Sequence, residues 1–521
     1  MLLLQDLIDW HALQDGSAEA VRDGRGASLN RGELQDAANG FAGAIQAAGL
    51  ERGSRVAVLS KNCVSYLAMY LGAAKAGVVL VPLNFRLVPS EWAYIVNDAG
   101  AELLVAGPEY VDDVEAHRDE IKTVGAFVTL GAETPEGWKA FDSWIAGPRA
   151  AFVPPTIDPT DDVIQMYTSG TTGLPKGTLI THDAMTSVMA QMAGLFVGME
   201  QKKMLVVGPI YHIAASLSAL WKLSTGASFV MYDDFVPAEI VRALDEDGIG
   251  HTFLAVAMIQ ALLTTVPDVA TRSYENLELI AYGSSPISEE TLRSAMEVFG
   301  CGFGQGFGQT ETCGGISYLT PAHHQRALTE KPELLRSCGR TIPGTEVKVV
   351  DPDGTSLAPF ESGEIVMRGP QMMRGYWNLP EATAETLKDG WLHTGDVGYL
   401  DEEGFVYLKD RLKDVIITGG ENVYPAEVEQ SLFAHPAVAD AAVIGIPDER
   451  WGEAVHAVVQ LREGSQATEQ DIIDFCKERM AGYKRPSGVT FVDALPRNAS
   501  MKVLKRELRA TFWEGTDRGV N

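Results

Sequence analysis

Cysteine is scarce and unpatterned: five in 521 residues, at positions 63, 301, 313, 338 and 476. No two stand in a CxxC or zinc-like spacing, which argues against a thiol redox motif, a structural zinc site and a disulfide framework. An odd number of thiols in a long chain reads as reduced cysteines serving as small core residues. Positive charge is also in short supply, with 42 Lys/Arg against 70 Asp/Glu and a net charge of −28. So acidic a chain is a poor partner for nucleic acid or an anionic membrane. No run of eighteen apolar residues occurs, so no membrane-spanning helix is expected. The opening Met1-Leu2-Leu3-Leu4-Gln5-Asp6 has no basic stretch, and the chain ends Gly519-Val520-Asn521 rather than in a peroxisomal Ser-Lys-Leu. Both point to a cytoplasmic protein.

What is present is ordinary in bulk and unusual in places. With 46% hydrophobic and 21% charged residues, the chain can bury large cores, and its length suggests more than one domain. Leu34, Ala38, Phe41 and Ile45 fall at helical spacing and predict a helix over 33–48, stopped by Gly49. Arg55–Leu59 reads as a buried strand, followed by a helix over 64–75 and a strand over 78–81. Strand-like runs recur at 228–231 and 277–280. This alternation predicts α/β architecture with largely parallel sheets. Residues 147–162 read as a loop between subdomains. After about residue 340 the texture turns β-rich, over 346–350 and 363–367, as in a small sheet or barrel. A final α+β segment starts near Asp410, with helices over 426–434 and 469–480 and strands over 441–446 and 455–461. In the second of these helices Ile472, Cys476 and Met480 share a face.

The densest chemistry lies at Thr168-Ser169-Gly170-Thr171-Thr172-Gly173-Leu174-Pro175-Lys176-Gly177. Glycines let backbone N–H groups turn toward an anion, hydroxyls donate further hydrogen bonds, and lysine adds charge. The composition suits a polyphosphate. It is not a Walker A loop, which needs Gly before the lysine and Ser or Thr after it; here Pro175 precedes Lys176 and Gly177 follows.

This stretch closely resembles the phosphate-binding loop of the adenylate-forming superfamily, which includes acyl-CoA synthetases, peptide-synthetase adenylation domains and luciferases. Further segments resemble the same superfamily in the same order. Gly283-Ser284-Ser285-Pro286 matches the segment lining the adenine and acyl pockets. Gln305-Gly306-Phe307-Gly308-Gln309-Thr310-Glu311 matches its Gly-aromatic-Gly-x-Thr-Glu motif, which implies Phe307 stacking on adenine and Glu311 holding Mg²⁺ on the phosphates. His393-Thr394-Gly395-Asp396 matches the motif whose aspartate accepts both ribose hydroxyls, and Arg411 in Asp410-Arg411-Leu412-Lys413-Asp414 would be the second ribose or phosphate contact. Lys413 matches the hinge about which the C-terminal domain pivots. Gly419-Gly420 matches the loop that enters the site after that pivot. Pro496-Arg497-Asn498-Ala499-Ser500-Met501-Lys502 resembles the lysine motif whose amine bridges substrate carboxylate and α-phosphate. Here Met501 stands where Gly is usual. Val56–Leu59 and Val81-Pro82-Leu83-Asn84 extend the likeness to the N-terminal third.

The resemblance implies an α/β fold: a large N-terminal domain of α/β subdomains with a small β-barrel-like subdomain, 1–409, then a small mobile α+β domain, 410–521. It implies ATP, Mg²⁺ and CoA as ligands and a small-molecule carboxylic acid as substrate. Thr168, Glu311, Lys413 and Lys502 would carry catalysis. His212 falls at an aromatic gate between acyl pocket and pantetheine channel, with a core or capping histidine equally open. Ala257, Gly283, Gly304 and Gly306 would face the acid. The apolar segments 255–258 and 301–304 contain no cation for a second carboxylate, so a hydrophobic monocarboxylic acid is expected. It is a medium or long fatty acid, with an aryl acid as the alternative, and Gly302 and Gly304 leave room for a longer chain. Residues 477–509 hold nine Lys/Arg against three Asp/Glu, a patch that suits the CoA phosphates or is simply a solvated basic face. An amino-acid adenylation domain would carry an acid near Tyr211, and none is there. A luciferase-like oxygenase and a non-catalytic acyl-AMP-binding protein are the remaining alternatives. Assembly state, a homodimer included, is not legible.

Overall fold

The computed structural model describes residues 2–147, 152–168, 174–283, 287–448, 450–477, 479–497 and 503–513. The chain forms two compact units, one made of Met1–Val347, Met367–Leu392 and Gly404–Val406, the other of Lys348–Val366, His393–Glu403 and Tyr407–Asn521.

Continuous apolar runs give the larger unit two mainly parallel sheets. Arg55–Leu59, Val79–Pro82, Leu103–Ala106 and Ala126–Thr129 pair in parallel and are buried on both faces, as helix-covered strands are. They belong to an eight-stranded sheet in which Asp162–Thr168 joins Val79–Pro82, and antiparallel Lys176–Thr181 and Gly375–Tyr376 form the edge. The nine-stranded sheet runs Arg340–Thr341, Ser317–Leu319, Gly302–Phe307, Leu279–Gly283, His251–Ala255, Met204–Val206, Phe229–Met231, Glu19–Asp23, Ser28–Asn30.

Element boundaries follow local chemistry. The first long helix starts at Arg31, because Asn30 caps the Glu33 N–H while the Glu33 carboxylate returns to the Asn30 N–H, a capping box. The strand expected over 277–280 instead spans Leu279–Gly283, since a turn from Tyr274 to Leu277 holds its first residues. Residues 152–161 lack helix and strand. Strands at Glu346–Val350 and Gly363–Arg368 bear out the β-rich texture after residue 340.

In the smaller unit Glu421–Val423, Ile416–Thr418, Gly452–Leu461 and Val438–Asp448 form an antiparallel sheet, with Gly488–Phe491 added in parallel. The helices Pro425–Phe433 and Glu469–Lys477 pack Val428, Leu432, Ile472 and Cys476 against it. The second of these is described only to Lys477, and Met480 follows it, half-buried against the same core. All five cysteines are free thiols.

Candidate active site

The hydroxyl-rich segment is flanked in the chain by two strands that pair with each other. Asp162–Thr168 and Lys176–Thr181 pair antiparallel, with Thr168 directly opposite Lys176. Ser169, Gly170, Thr171, Thr172 and Gly173 lie outside the described residues. Unlike a Walker loop, the segment leads into a strand and only then into a helix, His182–Leu195. The hairpin is anchored from behind. The Tyr167 hydroxyl donates to Asp98 Oδ2 at 2.5 Å, and the Trp377 indole N–H donates to the Asp98 carbonyl at 2.9 Å. Burial and the Asp98 carboxylate push the Tyr167 hydroxyl pKa up, so it stays a donor.

A segment that the sequence did not single out ties this hairpin to the second motif. Gly375–Tyr376 pairs with Thr178 and Leu179 on the edge of the sheet, and the Trp377 N–H donates to the Gly177 carbonyl at 2.8 Å. The Met373 N–H donates to the Glu311 carbonyl at 2.8 Å. Between these anchors the Tyr376 hydroxyl donates to Glu311 Oε1 at 2.9 Å, while the Lys176 ammonium stands 5.0 Å from the Tyr376 ring centroid. One phenol thus holds a carboxylate by its hydroxyl and a cation by its face. Among the described residues no group of three or more His, Cys, Asp or Glu could hold a metal ion. A cation here would rest on Glu311 and take its other oxygens from a ligand, which suits Mg²⁺ on a nucleotide and not a protein cage.

Glu311 sits on a short 3-10 turn, Thr310–Thr312, at the end of Gly302–Phe307. Glycine is required here by close backbone approach. A Cβ on Gly308 would lie 2.3 Å from the Gly314 carbonyl, and one on Gly283 would lie 2.7 Å from the Gly306 oxygen. Gly306 is different: nothing stands within 4 Å of its Cβ position, so the sheet face is open there. Phe307 is half-buried. Ser284 lies outside the described residues.

The room expected at Gly302 and Gly304 is not there. A Cβ on Gly304 would lie 1.9 Å from the Tyr318 hydroxyl, and one on Gly302 would meet the Glu278 carbonyl and Pro321 at 3.3 Å. The sequence shows a missing side chain, but the space is filled by a neighbour from the next strand. Ala257 lies exposed on the first turn of Val256–Thr265. His212 occupies the N-cap position of Ile213–Ser224 without a side-chain cap bond, its ring 4.4 Å from that of Tyr211.

Within the smaller unit Asp396, 6% exposed, pairs with Arg411 through Nε at 2.9 Å, and Arg411 also donates to the Thr394 carbonyl at 3.3 Å. Burial pushes the Lys413 pKa down. Its carbonyl accepts from Arg509, a buried guanidinium that also pairs with Asp414 at 3.0 Å. Gly419 and Gly420 form the turn between Ile416–Thr418 and Glu421–Val423, with φ of +59° and +87°. Two successive positive φ values call for glycine in a tight hairpin, and a Cβ on Gly419 would meet Trp451 at 2.8 Å. At least five of the nine cations in the basic stretch are paired: Lys477 with Asp474, Lys484 with Glu427, Arg497 with Asp440, Lys505 with Glu429, and Arg509 with Asp414. A count of charges along the chain overstates the cation available to a phosphate. Lys502 and Met501 lie outside the described residues.

Comparisons with known proteins give the family. Residues 8–377 match the AMP-binding enzyme family and residues 427–502 its C-terminal domain. The chain is 38% identical to fatty acid–[acyl-carrier-protein] ligase ScoC of Streptomyces coeruleorubidus, over 99% of this chain and 98% of that one. It is 36% identical to a feruloyl-CoA synthase of an Amycolatopsis species, over 95% and 96% respectively. Among solved structures, ATP-bound MatB from Rhodopseudomonas palustris superposes with a TM-score of 0.87 at 29% identity, covering 98% of this chain and 99% of that chain. The chain belongs to the AMP-binding enzyme family, and within it to the AMP-forming acyl-CoA synthetases.

Proposed function

We propose that the chain activates a hydrophobic monocarboxylic acid with ATP and passes the acyl group to CoA. A carboxylate is a poor acyl donor because its leaving group would be oxide. Attack of its oxygen on the α-phosphorus breaks the bond to the β-phosphate, releases pyrophosphate and leaves an acyl-AMP. Attack of the CoA thiolate on the acyl carbon then expels AMP.

The observation that carries this reading is the Tyr376 bridge between Glu311 and Lys176. It supports placing the β- and γ-phosphates beside Lys176 and Thr168, with the hydroxyls and N–H groups of 169–173 as the further donors expected from the sequence. Glu311 would hold Mg²⁺, which neutralises charge on the departing phosphates when bound. Gly283, Ser284, Gly306, Phe307, Gly308 and Thr310 would border the adenine. Asp396 and Arg411 would hold the ribose, the half-exposed guanidinium pairing at 2.9 Å with the buried Asp396 carboxylate. Lys502 would stabilise the pentavalent α-phosphorus. The second half-reaction would follow rotation about Lys413 of a domain spanning 410–521, bringing Gly419-Gly420 into the thiol path past His212. The acid is a medium or long fatty acid, the fatty-acid class being the one in the name of ScoC, or an aryl acid, as the name of the feruloyl-CoA synthase suggests.

Lys502→Ala should abolish adenylation, read as pyrophosphate release, and spare thioester formation from preformed acyl-AMP. Equal loss in both half-reactions would refute the two-conformation assignment.

A further inference from the structure

Gly304 and Gly306 alternate on one strand and so share a face of the sheet. Tyr318, on the next strand, is the register partner of Gly306. Its side chain leans along the sheet, so that a Cβ on Gly304 would lie 1.9 Å from the hydroxyl oxygen and 2.5 Å from Cζ. The open position over Gly306 therefore ends, one pleat further on, at a phenol. On the other side Phe253 stands over Gly283, 3.3 Å from where its Cβ would be. Backbone glycines and two aromatic rings bound the opening.

The phenol is held in place. Its ring packs edge-on against Phe196 at 5.2 Å, and Phe196 packs on Trp221 at 5.5 Å. Tyr318 is 6% exposed, and its hydroxyl has no hydrogen-bond partner. A buried hydroxyl left unpaired is costly, and a polar atom on an occupant of the slot would relieve that cost. A long alkyl chain would have to displace the ring and would leave the hydroxyl unsatisfied.

We infer that Tyr318 is the far wall of the acyl slot and hydrogen-bonds an oxygen on the end of the acid remote from its carboxylate. The preferred substrate is then a compact aryl-type acid bearing a hydroxyl group there, not a long-chain fatty acid. The inference rests on the acid-activating reading above and names the acid for that same site.

The test is pyrophosphate release by the full chain with ATP, Mg²⁺ and CoA, using cinnamate, its 3-hydroxy and 4-hydroxy derivatives, and hexadecanoate. One hydroxycinnamate should exceed cinnamate by about 10-fold or more in kcat/KM, the discrimination expected of a buried hydrogen bond. Both should exceed hexadecanoate. Tyr318→Phe, which removes one oxygen and keeps the ring, should erase the hydroxyl preference and leave cinnamate within about two-fold of the parent. A merely structural role would lower both acids together. Tyr318→Ala should raise turnover of hexadecanoate. A parent enzyme that prefers hexadecanoate, or a Tyr318→Phe variant with the hydroxyl preference intact, would overturn the inference. Turnover of no carboxylic acid at all would overturn the ligase reading beneath it, so the two failures are distinct.

Discussion

Lowering the pH from 7 to 5 should remove about 6 kcal/mol of stability from the larger unit through three imidazoles buried in neutral form. His182, His251 and His324 are 0%, 3% and 0% exposed. Burial pushes their pKa values down from 6.5 to about 4, about 3 and about 4. The Lys222 ammonium depresses His251 further, and the carboxylates of Asp161 and Asp6 partly restore His182. Each folded pKa lies below that of the unfolded chain, so below pH 6.5 the unfolded state binds more protons and stability falls with pH. At pH 5, roughly 1.5 units below the unfolded value, each ring costs about 2 kcal/mol. The hydrogen bonding agrees. His324 Nδ1–H donates to the Thr320 carbonyl at 2.9 Å and its Nε2 lies 2.8 Å from the Tyr282 hydroxyl, and neither nitrogen of His251 has a partner to welcome a second proton. Buried Asp162, whose carboxyl is raised by desolvation, acts in the opposite sense, and a comparison of variants cancels it. Urea unfolding followed by tryptophan fluorescence at pH 7, 6 and 5 should show the loss. In His251→Leu the loss should shrink by about a third, to roughly 4 kcal/mol. The same loss in both proteins would refute the assignment of neutral buried rings.

Two further outcomes follow from the geometry of the site. Tyr376→Phe removes the hydrogen bond to the Glu311 carboxylate, worth about 1.5–3 kcal/mol. Isotopic pyrophosphate exchange should therefore fall by about 10- to 100-fold in kcat/KM, most steeply at low Mg²⁺, and an unchanged rate would remove the clamp from the argument. Gly308→Ala forces a methyl into the Gly314 backbone at 2.3 Å, where no side chain can yield. It should cost about 3 kcal/mol or more in a chemical melt. Gly306→Ala meets nothing within 4 Å and should leave the melt unchanged while raising the KM for the acid. Equal stability losses in the two alanine variants would contradict the placement of open space over Gly306.

Much of the site was legible because its parts are contiguous. The hydroxyl-rich stretch at 168–177, the turn carrying Glu311 and the glycine pair at 419–420 each hold their chemistry within ten residues, so composition alone exposes them. The buried strands were legible for a similar reason: a strand covered on both faces must be apolar at every position, as Val56–Leu59 is. Helix ends were harder, since Asn30 starts its helix by a side-chain bond that periodicity does not reveal.

Tyr376 and Tyr318 were invisible in the sequence. Each is one aromatic residue among the fifteen tyrosines, and its role comes from sheet register. Pairing of Gly375–Tyr376 with the hairpin brings Tyr376 to a carboxylate 65 residues away. Pairing of Ser317–Leu319 with Gly302–Phe307 lays Tyr318 over Gly304. The same non-local logic pairs part of the basic C-terminal stretch, where Lys484, Arg497, Lys505 and Arg509 meet acids 57 to 95 residues away in sequence only through the fold of their unit. The sequence by itself determined the family, the order of the motifs and the reaction type, because bond-making groups must be of particular residue types. Tertiary structure alone decided which cations are paired, which glycines open onto space and which are covered by a neighbouring side chain. Those depend on what the fold places beside each residue, and only backbone pairing over long separations decides that.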